Sequence, residues 1–448
     1  MDEVQQEHKL GVVHGAALYV GALIGPGVLL VPALAVQAAG AASIVAWALL
    51  LVLSAPLAIT FAALGVRHPV AGGVSAYVRA GIGEGAAAIT GGLFLCAVFL
   101  GAPAVALIGG LYVADLTGSG TVVAAVVGLG IFGAVLVANA CGLRVSARLQ
   151  LVVASILVAV IALATAVALP SRGGHNWTPF APHGWWAIGT AANILVWLFV
   201  GWEAVAQLAG DFRDPQRDLP RAMSLAFGIV TVLYVGLAAA TIAVTANTHS
   251  HVPLADLIAV GFGHAGRDAT AVLAVALTMG TMNVYLGGAA KLVASLAHEG
   301  ALPRWLALGA PRSVPRRPLV VIAVAGVAVL GGLLAGWTST SDLIRATSAC
   351  FIGVYVLAVF SAVRILEGRI RLAAAVTLAL VLGLAVFSAW FLFVPAGAAV
   401  VALVLRSALR GDAVLAGDQH ALDLDAIREH DDVGAQADLD PSELRVAE

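Results

Sequence analysis

Charge is what this chain lacks. Only 11% of its 448 residues are Asp, Glu, Lys or Arg, and 61% are hydrophobic. A soluble domain carries about 25% charged residues, so a water-soluble globule is excluded and a membrane body is indicated. Cysteine is scarce as well. Cys96, Cys141 and Cys350 make an odd number with no metal-type spacing, which reads as three small hydrophobes rather than a disulfide framework or a zinc site. The first nine residues, MDEVQQEHK, lack the positive charge of a secretory leader, and no cleavage site follows a short apolar core. The first apolar run is therefore expected to stay in the mature chain. Clusters of acids, histidines or nucleophiles inside apolar runs are missing too. No catalytic residue is assigned and an enzyme is not expected.

Long apolar runs are abundant. Each can cross roughly 30 Å of hydrocarbon. Twelve spans are predicted, at about 11–38, 42–66, 86–114, 121–140, 149–169, 185–209, 222–246, 269–297, 318–336, 341–363, 372–388 and 390–407. The basic residues test this count. With both termini cytoplasmic, Lys9, Arg67, Arg79, Arg144, Arg148 and most later arginines fall on the cytoplasmic side, and only Arg172, Arg267 and Arg345 fall outside. That asymmetry is the one membrane insertion favours. Residues 1–10 read as a cytoplasmic N-terminus and 11–408 as one transmembrane domain. Residues 411–448 read as an acidic, mostly disordered cytoplasmic tail.

Two spans are interrupted at matching depth. In the first, "VGALIGPGVLLVPALA" from Val20 places Gly25, Pro26 and Gly27 in mid-span. Pro26 has no N–H and its ring crowds the carbonyl of Ala22. Each glycine allows backbone angles that other residues resist. In the sixth, Gly201 breaks "NILVWLFVGWEAVAQLAGDF", and Glu203 follows in what should be hydrocarbon. Matched breaks in two halves mark an inverted-repeat transporter with its site at the midplane. The repeats would be about 11–169 and 185–363, with two extra helices at about 372–407.

Unsatisfied backbone groups cost several kcal/mol in lipid, so such breaks persist only beside protein or a wet cavity. The N–H groups after Pro26 would face an anion, and carbonyls ending the first half-helix or lying near Val200 and Gly201 would face a cation. A free α-amino acid carries both charges. The plainer reading of Pro26 is a packing kink. Glu203 is the acid set deepest in a span, which suits proton coupling; the plainer reading is a neutral acid bonded to freed backbone. Trp197 stands one turn before the second break, placed either to cap a substrate or simply to pack. Thr278, Thr281 and Asn283 offer oxygens for a sodium ion, or bonds to neighbouring helices. Met282 and Phe351 supply apolar wall, and no second buried charge near the breaks would pair with a charged substrate side chain. The Gly-x-Gly at Gly25 is no nucleotide loop, because it lacks the strand and the third glycine. No cofactor, metal or nucleic-acid partner is expected.

These segments are familiar as a set. "GALIGPGVLLVPALA", "HPVAGGVSAYVRAGIGEG" from His68, "FVGWEAVAQLAGDFRDPQRDLPRA" from Phe199 and "AHEGALP" from Ala297 resemble, in order, motifs of the amino acid–polyamine–organocation (APC) family. The span-six stretch is most similar to the branch of bacterial inner-membrane exporters of L-methionine and branched-chain amino acids. The resemblance covers about residues 8–408. It implies an all-α polytopic membrane protein of 12 transmembrane helices, with a LeuT-like 5+5 inverted repeat and broken helices 1 and 6. It implies carboxylate binding at Gly25, Pro26 and Gly27, and ammonium binding by carbonyls near Leu23, Ile24, Phe199 and Val200. Trp197 and Glu203 match an occluding aromatic and a gating glutamate in related exchangers.

Two departures stand out. Pro26 replaces a frequent Ser or Thr hydroxyl, and span five has no lysine where some proton-coupled relatives carry one. The expected function is secondary transport of neutral, apolar amino acids such as methionine, leucine, isoleucine and valine across the bacterial inner membrane, by proton antiport in the export direction. Sodium is the other candidate ion. An uptake symporter or exchanger is the alternative on the same scaffold, and a transport-inactive sensor signalling through its tail is the alternative of another class. Membrane lipid is the expected surrounding partner; the sequence assigns no oligomeric state.

Overall fold

The computed structural model describes residues 10–67, 73–143, 147–170, 174–202, 212–245, 250–308 and 315–409. Their regular structure is helical, and one isolated bridge joins Leu10 to Phe212. The helices are α1 (Val12–Leu23), α2 (Val31–Ala39), α3 (Ser43–Arg67), α4 (Gly73–Gly81), α5 (Glu84–Leu116), α6 (Thr121–Ala140), α7 (Ala147–Ala168), α8 (Ala187–Leu195), α9 (Pro215–Thr245), α10 (Pro253–His298), α11 (Arg316–Leu334), α12 (Thr340–Ile365), α13 (Gly368–Val386) and α14 (Ala389–Leu409). Ten stretches are long and apolar enough to cross a bilayer, with α2 and α3 counted as one. Two apolar helices are shorter, α1 and the stretch Ala187–Phe199. Both lie where the sequence places its interrupted spans.

Burial separates an interior from a rim. In α5 and α12, 72% of the most apolar stretch is buried, against 17% in α13 and 6% in α14. The last two helices therefore present most of their surface outward, where apolar side chains such as Phe393 and Val404 suit lipid. Close helix contact in the interior rests on small residues, as expected where lipid removes the hydrophobic drive to associate. A Cβ on Gly110 would stand 1.9 Å from the Ala124 carbonyl oxygen, and one on Gly128 would stand 3.2 Å from that of Ala106. Backbone thus meets backbone between α5 and α6.

Span seven, expected at 222–246, begins earlier, at Pro215, and three further elements differ from the sequence expectation. The segment after span two, read as a connection, contains α4, whose Arg79 pairs with Glu84 at 2.9 Å and also with Glu299 at the end of α10. Span eight, expected at 269–297, begins at Pro253 because helix continues on both sides of Gly263, which takes φ 58° and ψ −146°. A residue with a side chain would be strained there. The bend is braced by Arg267, which reaches Asp256 at 2.7 Å and holds both oxygens of Asp115 on α5 at 2.6 and 2.7 Å. Span six, expected at 185–209, is described only as far as Trp202, so Glu203 lies outside the described residues. The tail from Gly411 lies outside them too.

Candidate substrate site at two helix breaks

The first break is built by one proline and two glycines. The Ile24 N–H makes the last helical bond of α1, to the Val20 carbonyl at 2.9 Å. Ile24 then turns to ψ 84° and Gly25 to an extended conformation. Pro26 has no hydrogen to return to Ala22. The Gly25 N–H instead turns back to the Leu23 carbonyl at 3.2 Å. Among the described residues, no backbone N–H bonds to the carbonyls of Gly21, Ala22 or Ile24, and the Gly27 N–H has no acceptor. Free acceptors thus precede Pro26 and a free donor follows it.

The continuation is less simple than the sequence reading. Pro26–Leu29 forms a 3₁₀ turn, a second irregularity follows at Leu30 (φ −135°, ψ −43°), and only then does α2 begin. Pro32 explains the second stop, since it cannot donate to the carbonyl of Val28. The turn is held from outside by the Tyr112 hydroxyl, which donates to the Leu29 carbonyl at 2.8 Å.

The second break touches the first. α8 tightens into a 3₁₀ segment, Val196–Phe199; Val200 is extended and Gly201 has φ +137°. A Cβ on Gly201 would lie 3.0 Å from the Ala22 carbonyl oxygen, so glycine is needed both for the angle and for the approach. Tyr234 of α9 ties the two breaks together. Its buried hydroxyl lies 2.9 Å from the Leu23 carbonyl and 2.8 Å from the Leu198 carbonyl. Tyr234, Trp47 and Phe199 meet edge to face, with centroids 5.2 to 6.1 Å apart.

A cavity of about 350 Å³ opens at this junction. Leu23, Ile24, Gly25, Pro26, Gly27, Trp197, Val200, Gly201, Thr281 and Met282 all line it. Phe199 does not; its ring packs against Trp47 and Tyr234, and its carbonyl is 3.5 Å from the Tyr355 hydroxyl. Thr278 and Asn283 are also outside. Thr278 donates to the Val275 carbonyl at 2.8 Å, and the Asn283 amide donates to the Leu143 carbonyl at 3.2 Å. The three candidate ion-site residues therefore do not converge in this arrangement. Among the described residues, no group of three acids, histidines or cysteines is placed to hold a metal. Sequence reasoning missed Gly101 of α5, Tyr285 of α10 and Thr347 of α12, which also line the cavity. Nothing local in their apolar spans marks them. The described lining carries no charged side chain, and beyond the breaks its walls include Val98, Leu277 and Phe351.

A family model described as "Amino acid permease" matches residues 10–409. The chain belongs to the amino acid permease family. The permease is 32% identical over 396 residues to "Uncharacterized amino acid permease YecA" of Bacillus subtilis, covering 86% of this chain and 92% of that one. It is 30% identical over 383 residues to "L-methionine/branched-chain amino acid exporter YjeH" of Escherichia coli, covering 83% and 89%. Its fold is similar to the structure "Inward facing conformation of Mhp1", with TM-score 0.56 and 15% identity over 92% of each chain. The permease is thus a multi-pass membrane transporter of LeuT-like fold and not an enzyme, as the sequence implied.

Proposed function

We propose that this permease moves neutral amino acids with apolar side chains, of the methionine, leucine, isoleucine and valine class, out of the cell by proton antiport. The observation that carries the reading is the cavity at two touching helix breaks, which offers main-chain donors and acceptors but no charged side chain among its described lining. The ammonium would lie against the free carbonyls ahead of Pro26 and against main-chain carbonyls at Phe199 and Val200. The carboxylate would lie against the Gly27 N–H. Val98, Met282 and Phe351 would receive the side chain, and an arginine or glutamate substrate would find no partner there. The similarity to a methionine and branched-chain exporter agrees with this substrate class.

The proposed scaffold has twelve membrane crossings, counting the two interrupted spans, with repeats at about 11–169 and 185–363, extra helices at about 372–407, and both termini cytoplasmic. One repeat would rock against the other around the fixed site. Glu203 is proposed as the proton-coupling group, two residues beyond the Gly201 break. Glu203→Gln is expected to flatten the pH dependence of transport while methionine still binds; an unaltered pH profile removes Glu203 from the mechanism.

Flux in proteoliposomes tests the whole reading. Vesicles are loaded with labelled methionine, leucine, arginine or putrescine under a pH gradient, with and without sodium. Movement of methionine and leucine that follows the pH gradient and ignores sodium is the expected result. Flux driven by sodium transfers the coupling role to another site. Movement of arginine or putrescine overturns the selectivity argument. Deleting 411–448 should leave flux intact; absence of flux in both forms, with folded protein, favours a sensor.

A further inference from the structure

A furrow of about 410 Å³ lies between α3, α9 and the start of α13. It shares no lining residue with the cavity at the helix breaks. Its walls are almost wholly apolar, from Ala62 on α3, Met223 and Phe227 on α9, and Ile370 on α13. Ile59, on the same wall, is 53% exposed, so none of the described elements covers it. One end is different. Arg67, the last residue of α3, and Gln216, in the first turn of α9, close the furrow with exposed polar side chains.

More positive charge flanks that end. Arg217 follows Gln216, Arg221 follows the lining residue Pro220, and Arg369 and Arg371 bracket Ile370. The acids on the same segments are Asp214, Asp218 and Glu367. None of these arginines, nor Arg67, forms an ion pair with a described carboxylate, although such pairs occur elsewhere at Arg79, Arg267 and Arg406. The furrow is therefore a channel for hydrocarbon with a cationic mouth that its own acids leave unpaired.

We propose that this furrow holds an acyl chain of an anionic phospholipid, with the lipid phosphate seated on Arg67. A hydrocarbon tail fits the apolar walls, and a net negative headgroup complements the surplus of arginines. A zwitterionic lipid brings its own ammonium to the mouth and gains less. Each arginine near an anionic surface contributes about fivefold in binding. The site is independent of which substrate the permease carries.

The test uses the full-length protein, stripped of lipid in detergent. Dioleoylphosphatidylglycerol and dioleoylphosphatidylcholine are titrated separately, and bound lipid is counted by native mass spectrometry. The wild type should retain the anionic lipid in preference. Arg67→Gln should weaken that binding about fivefold and weaken the zwitterionic lipid by less, so that the preference narrows. Arg67→Lys should keep most of the preference, and Arg304→Gln, which is not among the furrow's lining residues, should keep all of it. Ser224→Trp fills the channel and should reduce retention of both lipids. Ser224 bonds only to the Pro220 carbonyl of its own helix, at 2.9 Å, so this change removes no tie between helices. Equal retention of the two lipids by the wild type overturns the proposal, as does an Arg67→Gln variant that behaves like Arg304→Gln. A stripped protein that is dimeric, and that Ser224→Trp makes monomeric with its lipid preference intact, assigns the furrow to a second copy and overturns it equally.

Discussion

Gly27→Leu is expected to weaken methionine binding by about ten- to hundredfold, the range set by forcing a bulky side chain into a filled space. A Cβ on Gly27 would already stand 2.8 Å from Leu198 Cδ2 and 3.5 Å from Trp197 Cδ1. The leucine branches would push into the junction and shield the free Gly27 N–H. Gly27→Ala should lose less, because the Leu198 methyl is the end of a flexible side chain and can move. Gly25→Ala is a useful companion. Nothing lies within 4 Å of a Cβ there and its φ of −103° suits alanine, so the fold should tolerate the methyl while the cavity loses room. Binding by scintillation proximity, with thermal unfolding measured beside it, separates the two effects. Normal methionine affinity in a folded Gly27→Leu protein moves the substrate site elsewhere.

Tyr234→Phe is the second large effect expected. One hydroxyl serves carbonyls on both broken spans, and both are buried. Removing a buried partner costs about 1–3 kcal/mol. The ring contacts with Trp47 and Phe199 remain, so the loss is one of hydrogen bonding and not of packing. We expect a lower unfolding temperature and slower methionine flux together, because the hydroxyl holds α1 and α8 in register at their breaks. An unchanged melting temperature would show that the Leu198 carbonyl is satisfied without Tyr234, since the Leu23 carbonyl also accepts the Gly25 N–H. Tyr112→Phe supplies the comparison, since it frees only the Leu29 carbonyl on the far side of Pro26.

The breaks were legible because proline and glycine act on the backbone directly. Pro26 removes an N–H wherever it sits, and Gly201 permits an angle that few other residues adopt. Most helix ends were legible too, since long apolar runs stop at charged or turn-forming residues. What was not legible follows from the same apolar composition. A helix surrounded by lipid and protein is hydrophobic all round, so periodicity does not separate a cavity-facing residue from a lipid-facing one. Thr281 lines the cavity and Asn283 does not, although both are polar residues in one span. Tyr234 and Tyr112 are single tyrosines among aliphatic residues, and their partners are carbonyls distant in sequence. The stop at Leu30 had a signal in Pro32 that the larger break at Pro26 overshadowed. Helix α4 is short, and the bend at Gly263 joins two stretches that hydropathy alone treats as loop and span.

The groups offered at the two breaks are peptide atoms, and that changes how the genetic code can reach them. Truncating Leu23 or Ile24 to alanine deletes side-chain carbons and leaves each carbonyl oxygen in place. A conventional alanine scan across the first break would therefore register packing and stay silent about recognition. Replacing a peptide linkage by an ester, which weakens one carbonyl and deletes one N–H while keeping every side chain, interrogates the missing layer. At Gly27 such an exchange would erase the unpaired donor described above with no change of volume.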